Sequence, residues 1–322
     1  MPETLTVDEL LALYRTIKTI RTVENSLTRL FADGEVPGFI HLSVGQEAIA
    51  AGICSALGDH DTLATTHRGH GHVLARGLSL PHFFKEVMGK AGGVCGGRGG
   101  SMHVADMEIG ILGANGIVAA GIPIAMGSAV AHQTRKTGGI AVAFFGDGAM
   151  AEGVLHETLN MAALWKLPLL LVCENNGWSE FSPTSQQFAG TLKGLAAAFK
   201  ISHQQLDGND VSDVALATRK AVASLRKGKG PLILECVTKR VRGHYEGDPQ
   251  KYRDADDLAS LEAVDPVART QVLLQEAGAT KEQVDQVDQE VEADVDAAIA
   301  QAREDSEPTY ESARQDVYTL NI

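Results

Sequence analysis

The fold of this chain is decided by the stretch from Gly146 to Asn176, which reads GDGAMAEGVLHETLNMAALWKLPLLLVCENN. An apolar run of strand character, GGIAVAFF, comes directly before it. Inside it, an apolar-patterned segment around residues 153–165 is long enough for a helix, and LPLLLVC then reads as a buried strand. A strand, a helix and a strand of these lengths form one crossover unit, whose two strands should be parallel. We therefore expect an α/β fold with a doubly wound, mostly parallel sheet flanked by helices.

Polar residues follow both strands of this unit. Asp147 comes just after the first strand, and Asn175 and Asn176 come just after the second, at the carboxyl edge where open parallel sheets bind ligands. Asp147 offers a carboxylate oxygen and Asn176 an amide oxygen. Gly148 lets the backbone approach a ligand closely, and a helix amino terminus after Ala149 suits phosphate. These residues predict a Mg²⁺-diphosphate site, with two ordinary turns as the alternative.

The spacing of these two groups also resembles a known signature. GDG followed about thirty residues later by NN is similar to the thiamine diphosphate motif. The words NMAALWKLPLLLVCENN resemble the α chains of the two-chain 2-oxo acid and acetoin dehydrogenase complexes, and the likeness extends from Leu10 to Arg253. It implies the thiamine diphosphate-binding fold, with thiamine diphosphate and Mg²⁺ as cofactors. Asp147, Asn176 and the backbone carbonyl of Trp178 would then be the metal ligands.

Two histidine-bearing segments come earlier in the chain. GFIHLSVGQ contains His41, and LATTHRGHGH contains His67, Arg68 and His70. Residue types alone leave a structural role open for the first, and a metal cluster or a plain polar loop open for the second. The resemblance implies more: His41 at the mouth of the active site, Arg68 on the cofactor diphosphate and His70 near the active site as a catalytic candidate. His67 stands beside Arg68 where the family commonly has a cofactor-binding Tyr.

Three further segments carry candidate residues. The glycine-rich GGVCGGRGGSMH, residues 92–103, lacks the Lys-Ser/Thr of a P-loop. It is expected to be a mobile or tightly apposed loop near the active-site channel, or a loop with no such role. In GANGIVAAG the resemblance implies that the backbone at Gly116 contacts the aminopyrimidine and that Val118 supports the bent cofactor. In KRVRGHYEGDPQKYR, His244 is a surface residue or a catalytic one on sequence grounds; the resemblance implies an active-site and cofactor-contacting histidine.

Composition limits the class of protein. The 322 residues are 44% hydrophobic and 21% charged, with a net charge of −13, so nucleic acid is not an expected partner. Four cysteines without CxxC spacing, and no targeting pattern at the start, favour a cytoplasmic protein with reduced thiols. No apolar run reaches the length that spans a membrane. We expect one domain over residues 1–322, with an N-terminal helix (1–35), a diphosphate-binding core (36–255) and a helical C-terminal region (256–322).

Several other elements are predicted from local patterns. Thr6 and Glu9 form a capping box that opens a helix. Past the central unit, the strand–helix–strand pattern repeats over residues 201–206, 211–225 and 231–237. Near the C-terminus, Asp265-Pro266 begins a helix that Gly278 ends. A second helix from Thr280 has a valine-rich face suited to packing.

The resemblance also implies partners and a reaction. No Glu in this chain matches the family's activating Glu, which the two-chain enzymes carry on the β chain. The chain should therefore form half of a composite active site, in an α2β2 tetramer. The implied reaction cleaves a carbon–carbon bond beside a carbonyl and passes the acyl group to a lipoyl-bearing acyltransferase component.

The substrate is predicted from one loop. RGHYEGDPQKYR resembles acetoin dehydrogenase α chains more than pyruvate ones, which favours acetoin over pyruvate or a branched-chain 2-oxo acid. A nicotinamide-dependent dehydrogenase is a second hypothesis. It requires GxGxxG after a strand with an acidic residue about twenty positions later, which the chain does not show. A third is a non-catalytic subunit that only binds Mg²⁺-diphosphate; His41, Arg68 and His244 favour a catalyst.

Overall fold

The computed structural model describes residues 4–315. The helices are α1 (Val7–Ala32), α2 (Glu47–Cys54), α3 (His70–Ala75), α4 (Leu80–Val87), α5 (Gly121–Arg135), α6 (Gly153–Trp165), α7 (Leu192–Ala198), α8 (Val211–Arg226), α9 (Ala255–Ala259), α10 (Pro266–Ala277), α11 (Lys281–Arg303) and α12 (Tyr310–Gln315). The strands are β1 (Thr62–Ala64), β2 (Ile111–Gly113), β3 (Ala141–Gly146), β4 (Leu169–Asn175), β5 (Trp178–Ser179), β6 (Ser182–Pro183), β7 (Ser202–Asp207) and β8 (Leu232–Val237). Within this range no helix combines the length and apolar character needed to cross a bilayer.

The main sheet has the strand order β2-β1-β3-β4-β8-β7, and every neighbouring pair in it is parallel. The predicted crossover unit is confirmed as β3, α6 and β4. One local difference lies at the sheet edge, where a 3₁₀ turn over Asp147–Ala151 precedes α6. Extended backbone at Glu152 separates that turn from the α-helix. The N–H groups nearest the edge therefore belong to the short turn.

Both faces of the central strands are buried, as the unbroken apolar runs predict. Val142 and Phe144 of β3 belong to one core, which also contains side chains of α1, α2, α8 and α11. Ala143 and Phe145 belong to a second core, formed with α5, α6 and α7. Alternate side chains of one strand thus enter opposite layers, which confirms the doubly wound fold.

The terminal helices fold as the sequence predicts. Thr6 and Glu9 make the reciprocal hydrogen bonds of a capping box at the start of α1. Asp265 caps α10, and Gly278 ends it with a positive φ of 94°. The valine-rich face of α11 is buried, and α11 packs against both α1 and α4. Helices α10 and α11 of the C-terminal region are therefore part of the first core.

The sheet topology determines which loops meet. The segment after β1 carries His67 and Arg68, and the turn after β3 begins at Asp147. Asn176 directly follows β4, whose last residue is Asn175, and the loop after β8 contains His244. Because β1, β3, β4 and β8 are adjacent and parallel, all four segments emerge at one edge of the sheet.

Candidate active site

A cavity of about 340 Å³ opens at this carboxyl edge. Its wall includes nearly every residue that the sequence predicted: His41, His67, Arg68, Gly116, Val118, Asp147, Gly148, Ala149, Asn176, Trp178 and His244. His70 does not line the cavity. These residues come from separate segments of the chain, so the parallel sheet brings them together.

Asp147 is a buried acid with one free oxygen. Its side chain is 1% exposed, and its Oδ2 accepts a hydrogen bond from the Thr184 hydroxyl. Its Oδ1 is buried and has no hydrogen-bond partner among the described residues. Burial raises the pKa of Asp147 to about 6, although the hydrogen bond from Thr184 opposes this shift. A buried carboxylate with an open lone pair suits a bound cation.

Asn176 is oriented by a glutamine that the sequence analysis did not identify. Its Nδ2 donates to Gln46 Oε1 at 3.0 Å, so the opposite atom of the amide must be the oxygen. That Oδ1 accepts from the backbone N–H of Trp178 at 3.0 Å and retains a second lone pair. Asn176 and Trp178 therefore lie beside each other in the wall that contains Asp147.

Two buried arginines contribute positive charge to the wall. Arg68 is 5% exposed and donates to the carbonyl oxygens of Leu42 at 2.7 Å and His244 at 2.9 Å. Arg240 is 1% exposed; it donates to Glu180 O and Tyr252 Oη, and its Nε is one of the unsatisfied buried atoms within residues 4–315. Burial lowers the pKa of Arg68 to about 10 and also lowers that of Arg240. Across the described chain, neither makes an ion pair with a carboxylate, so the wall favours an anion.

His41, His67 and His244 form a cluster at the cavity. Their ring centroids are 4.7 Å (His41–His67), 5.0 Å (His41–His244) and 5.5 Å (His67–His244) apart. Burial, together with the Arg68 charge, lowers the pKa of His41 to about 3, of His67 to about 2 and of His244 to about 4. All three imidazoles are therefore neutral near pH 7.

The glycines have different roles in the wall. A Cβ built at Gly116 or at Gly146 would meet no atom within 4 Å, so both leave space in which a ligand can approach the backbone. A Cβ at Gly148 would lie 2.6 Å from Ser179 Oγ, so the role of this glycine includes close packing within the protein. Val118 is 49% exposed although it lines the cavity.

His70 lies behind the wall. Its Nδ1 is 3.0 Å from Glu24 Oε2 and its Nε2 is 2.7 Å from Ser101 Oγ, and all three side chains are buried. Glu24 also accepts from the N–H and the hydroxyl of Ser43. Burial alone would raise the pKa of Glu24, but His70 and Ser43 lower it. His70 therefore connects the His41 segment to the glycine-rich loop.

The glycine-rich loop is organised by a buried carboxylate. Glu86 of α4 is fully buried and accepts four backbone N–H bonds, from Cys95, Gly97, Gly99 and Gly100, at 2.7 to 3.0 Å. The loop also contributes Met102 to the cavity wall. Of the two predicted forms, the structure shows the tightly apposed loop near the channel.

Four wall or supporting residues were absent from the sequence prediction: Gln46, Glu174, Thr184 and Arg240. Glu174 carried a usable signal, since it is an acid within an apolar strand, directly before the two asparagines. It lines the cavity and accepts a hydrogen bond from His72 at 3.1 Å. Arg240 carried no distinctive signal, because Lys239 and Arg242 flank it in a basic run.

Comparison with known proteins identifies the family to which this chain belongs. A model of the dehydrogenase E1 component family matches residues 15–311. The α subunit of acetoin:2,6-dichlorophenolindophenol oxidoreductase from Bacillus subtilis is 40% identical, over 98% of this chain and 95% of its own. Its counterpart from Cupriavidus necator is also 40% identical, over 97% and 94%. The pyruvate dehydrogenase E1 component subunit alpha of Rhizobium meliloti is 39% identical, over 94% and 88%. The chain therefore belongs to the dehydrogenase E1 component family of thiamine diphosphate-dependent oxidoreductases.

Proposed function

We propose that this chain is the α subunit of an acetoin dehydrogenase, which cleaves acetoin and passes the acyl group to a lipoyl carrier or a dye. The two acetoin-named relatives, together with the loop from Arg242 to Arg253, support this substrate. The alternative is the α subunit of a pyruvate or branched-chain 2-oxo acid dehydrogenase, and the Rhizobium meliloti relative supports the pyruvate form. Membership of this family argues against the hypothesis of a nicotinamide-dependent dehydrogenase.

One observation carries the cofactor assignment. Asp147 has a buried carboxylate oxygen without a described hydrogen-bond partner. It shares the cavity with Arg68 and Arg240, two buried cations that make no ion pair with a carboxylate in the described chain. A magnesium-bound diphosphate presents the complementary charges, so these residues fit the group. When bound, thiamine diphosphate supplies the nucleophilic carbon and the electron sink for carbon–carbon cleavage beside a carbonyl.

The proposed contacts follow from the wall. Asp147, Asn176 and the backbone carbonyl of Trp178 would hold Mg²⁺. Arg68, with His67 beside it, would bind the diphosphate, together with the backbone of Gly148 and Ala149 in the 3₁₀ turn. Gly116 and Val118 would contact the rest of the cofactor. Support comes from the positions of all these residues in one wall and from the open space at Gly116.

His41 and His244 are the proposed catalytic histidines, and His70 is proposed to position the glycine-rich loop. His244 Nδ1 is 3.5 Å from Arg240 Nη1. A guanidinium can only donate, so this nitrogen is the acceptor and Nε2 carries the proton. Because the ring is neutral near pH 7, His244 would act by donating its Nε2 proton in a hydrogen bond to a substrate oxygen.

A β subunit is proposed to complete the site in an α2β2 tetramer. Ile117 is 71% exposed and Val118 49%, although both line the cavity. Large apolar side chains left uncovered in a cavity wall support closure by a partner. The name "subunit alpha" of the relatives also supports a second subunit. A lipoyl-bearing acyltransferase is the proposed acceptor, and the free state of all four cysteines supports a cytoplasmic location.

Dye-linked oxidation tests the substrate. The full-length chain is produced with its β partner and supplied with Mg²⁺ and thiamine diphosphate, and turnover of acetoin is compared with that of pyruvate. A higher kcat/KM for acetoin supports the proposal. A higher value for pyruvate replaces it with the alternative and leaves the cofactor assignment intact.

A variant pair separates a catalyst from a binding subunit. His244→Ala should reduce kcat by about a hundredfold or more while cofactor affinity stays within a few fold. His82→Ala changes an exposed histidine of α4 and serves as the control. Unchanged turnover in His244→Ala would contradict the catalytic role of His244.

A further inference from the structure

The wall of the proposed cofactor and substrate cavity contains a second set of possible metal ligands, in addition to Asp147, Asn176 and Trp178. His41, His67 and His244 each offer one imidazole nitrogen, and the three nitrogens all lie within 4.8 Å of one another. Among the described residues, the Nδ1 of His41 is buried and has no hydrogen-bond partner, and the side chain is 8% exposed. Three imidazoles from three separate segments of the chain thus converge, and His41, the most buried of them, has a nitrogen available to bind a metal.

Arg68 holds the three segments in place. It directly follows His67 in the chain, and its guanidinium donates to the carbonyl of Leu42, the residue after His41, and to the carbonyl of His244 itself. The N–H of Glu246 also donates to the Ile40 carbonyl at 2.9 Å, which joins the His244 loop to the His41 segment directly. The backbone that carries the cluster is therefore fixed, which favours ligand binding.

We propose that His41, His67 and His244 form a second metal site, which binds a borderline divalent cation such as Zn²⁺ through three imidazole nitrogens. Tetrahedral zinc–nitrogen bonds of about 2.0 Å place ligand nitrogens roughly 3.3 Å apart. The histidine nitrogens lie within 4.8 Å of one another and would reach this distance on metal binding by rotation about side-chain bonds. Neutral imidazoles bind without releasing a proton, and the lowered pKa values keep them neutral. His244, with its proton on Nε2, would bind through Nδ1, and the metal would replace the 3.5 Å contact of that nitrogen with Arg240 Nη1.

The neighbouring arginines shape the chemistry of this site. Arg68 and Arg240 repel a bare divalent cation, which lowers its affinity. Three protein ligands leave the fourth tetrahedral position open, and the same two guanidinium groups favour an anion there, such as hydroxide or a carboxylate. The occupant we infer is therefore Zn²⁺ with an anionic fourth ligand. Two of its ligands, His41 and His244, are the proposed catalytic histidines, so the bound metal would obstruct substrate.

Cobalt spectroscopy tests the proposal without measuring turnover, so a failure of the proposed function does not affect it. Co²⁺ is titrated into the untagged full-length chain carrying Asp147→Asn, which removes the oxygen-rich site. Tetrahedral nitrogen-ligated Co²⁺ absorbs strongly in the visible range, whereas octahedral oxygen-ligated Co²⁺ absorbs weakly. We expect one strongly absorbing Co²⁺ per chain, displaced by Zn²⁺ and removed by a chelator.

Adding His67→Ala should weaken this cobalt binding by about a hundredfold, since it removes a ligand. Adding His82→Ala instead should leave it unchanged. His67→Phe keeps a ring of similar size and replaces His67→Ala if circular dichroism shows that the alanine variant is unfolded. A weak octahedral spectrum, or a strong one of equal affinity in the His67 variant, would overturn the proposal.

Discussion

At the scale of single residues, Asp147 shows that a side chain suited to binding a ligand can lower the stability of the ligand-free folded chain. The carboxylate is buried, and its raised pKa of about 6 means that burial disfavours the charged form. A cation that meets the free oxygen would reverse this penalty. Binding and folding therefore make opposite demands on Asp147, as is common where a protein holds a charged ligand.

Asp147→Asn tests this opposition. We expect cofactor affinity with Mg²⁺ to fall by at least about a hundredfold, because the charged ligand is lost. The free energy of unfolding of the cofactor-free chain at pH 7.5 should rise by about 1 to 2 kcal/mol, because a buried charge is removed. Calorimetric titration and urea denaturation measure the two effects. Asp256→Asn is an exposed control, and a variant that binds Mg²⁺-cofactor normally would contradict the ligand assignment.

His41 predicts a dependence of stability on pH. Its folded-state pKa is lowered to about 3, while the unfolded value is near 6.5. Between these values the unfolded chain binds more protons, so this contribution to stability is complete above pH 6.5 and is lost as pH falls. From pH 7.5 to 5.5 the free energy of unfolding should drop by about 1 kcal/mol on account of His41.

Urea denaturation of the wild type and of His41→Gln at both pH values measures this effect. The variant should lose about 1 kcal/mol less than the wild type over this interval, because glutamine does not titrate. His82→Gln, at an exposed position, should keep the wild-type dependence. Equal losses in the His41 variant and the wild type would show that His41 is not held neutral in the folded chain.

At the scale of elements, the sequence was most informative where one pattern had one structural solution. The unit of β3, α6 and β4 was predictable because continuous apolar strands need cover on both faces, and a parallel crossover supplies it. That topology also placed Asp147 and Asn176 at one edge. Gln46 and Thr184 were not predictable, because their partners are distant in sequence and their residue types are common in loops.

The conformation of the glycine-rich loop also could not be predicted from its own sequence. Its composition predicted either mobility or close packing, and the deciding group, Glu86, lies outside the loop in α4. Gly97 has a φ of 70°, and a Cβ there would lie 2.4 Å from the carbonyl oxygen of Lys90. Glycine at this position therefore permits close packing around a buried carboxylate, not mobility.

Glu86→Gln should loosen this loop. The amide retains one acceptor oxygen and places an NH2 group among N–H donors, so about half of the four bonds are lost. We expect a loss of about 2 to 4 kcal/mol in the free energy of unfolding. Hydrogen exchange should accelerate at residues 95–100 more than in β3 or β4. Glu108→Gln, at an exposed position, is the control; unchanged exchange in the loop would show that Glu86 does not organise it.

At the scale of the whole molecule, helices α10 and α11 near the C-terminus belong to the core that supports the active site. Val291 and Val295 of α11 are buried in the core shared with α1 and α4. Just past α11, Asp305 makes an ion pair with Lys85 at 3.1 Å and accepts from the N–H of Gly92, at the start of the glycine-rich loop. These contacts join the C-terminal region to the glycine-rich loop. One domain over residues 1–322 stays a prediction, which an unfolding experiment can test.

Val295→Ala should destabilise the chain as a unit. Removing two buried methyl groups from this face costs about 1 to 3 kcal/mol. If the described helices and the sheet form one cooperative domain, the single unfolding transition should shift as a whole when helix content and tryptophan fluorescence are followed together. Asp294→Ala, one residue earlier and exposed, should leave the midpoint unchanged. Two separated transitions in the Val295 variant, with only the first shifted, would mean that the C-terminal region is a distinct folding unit. The glycine-rich loop would then be packed against a region that can unfold independently of the sheet.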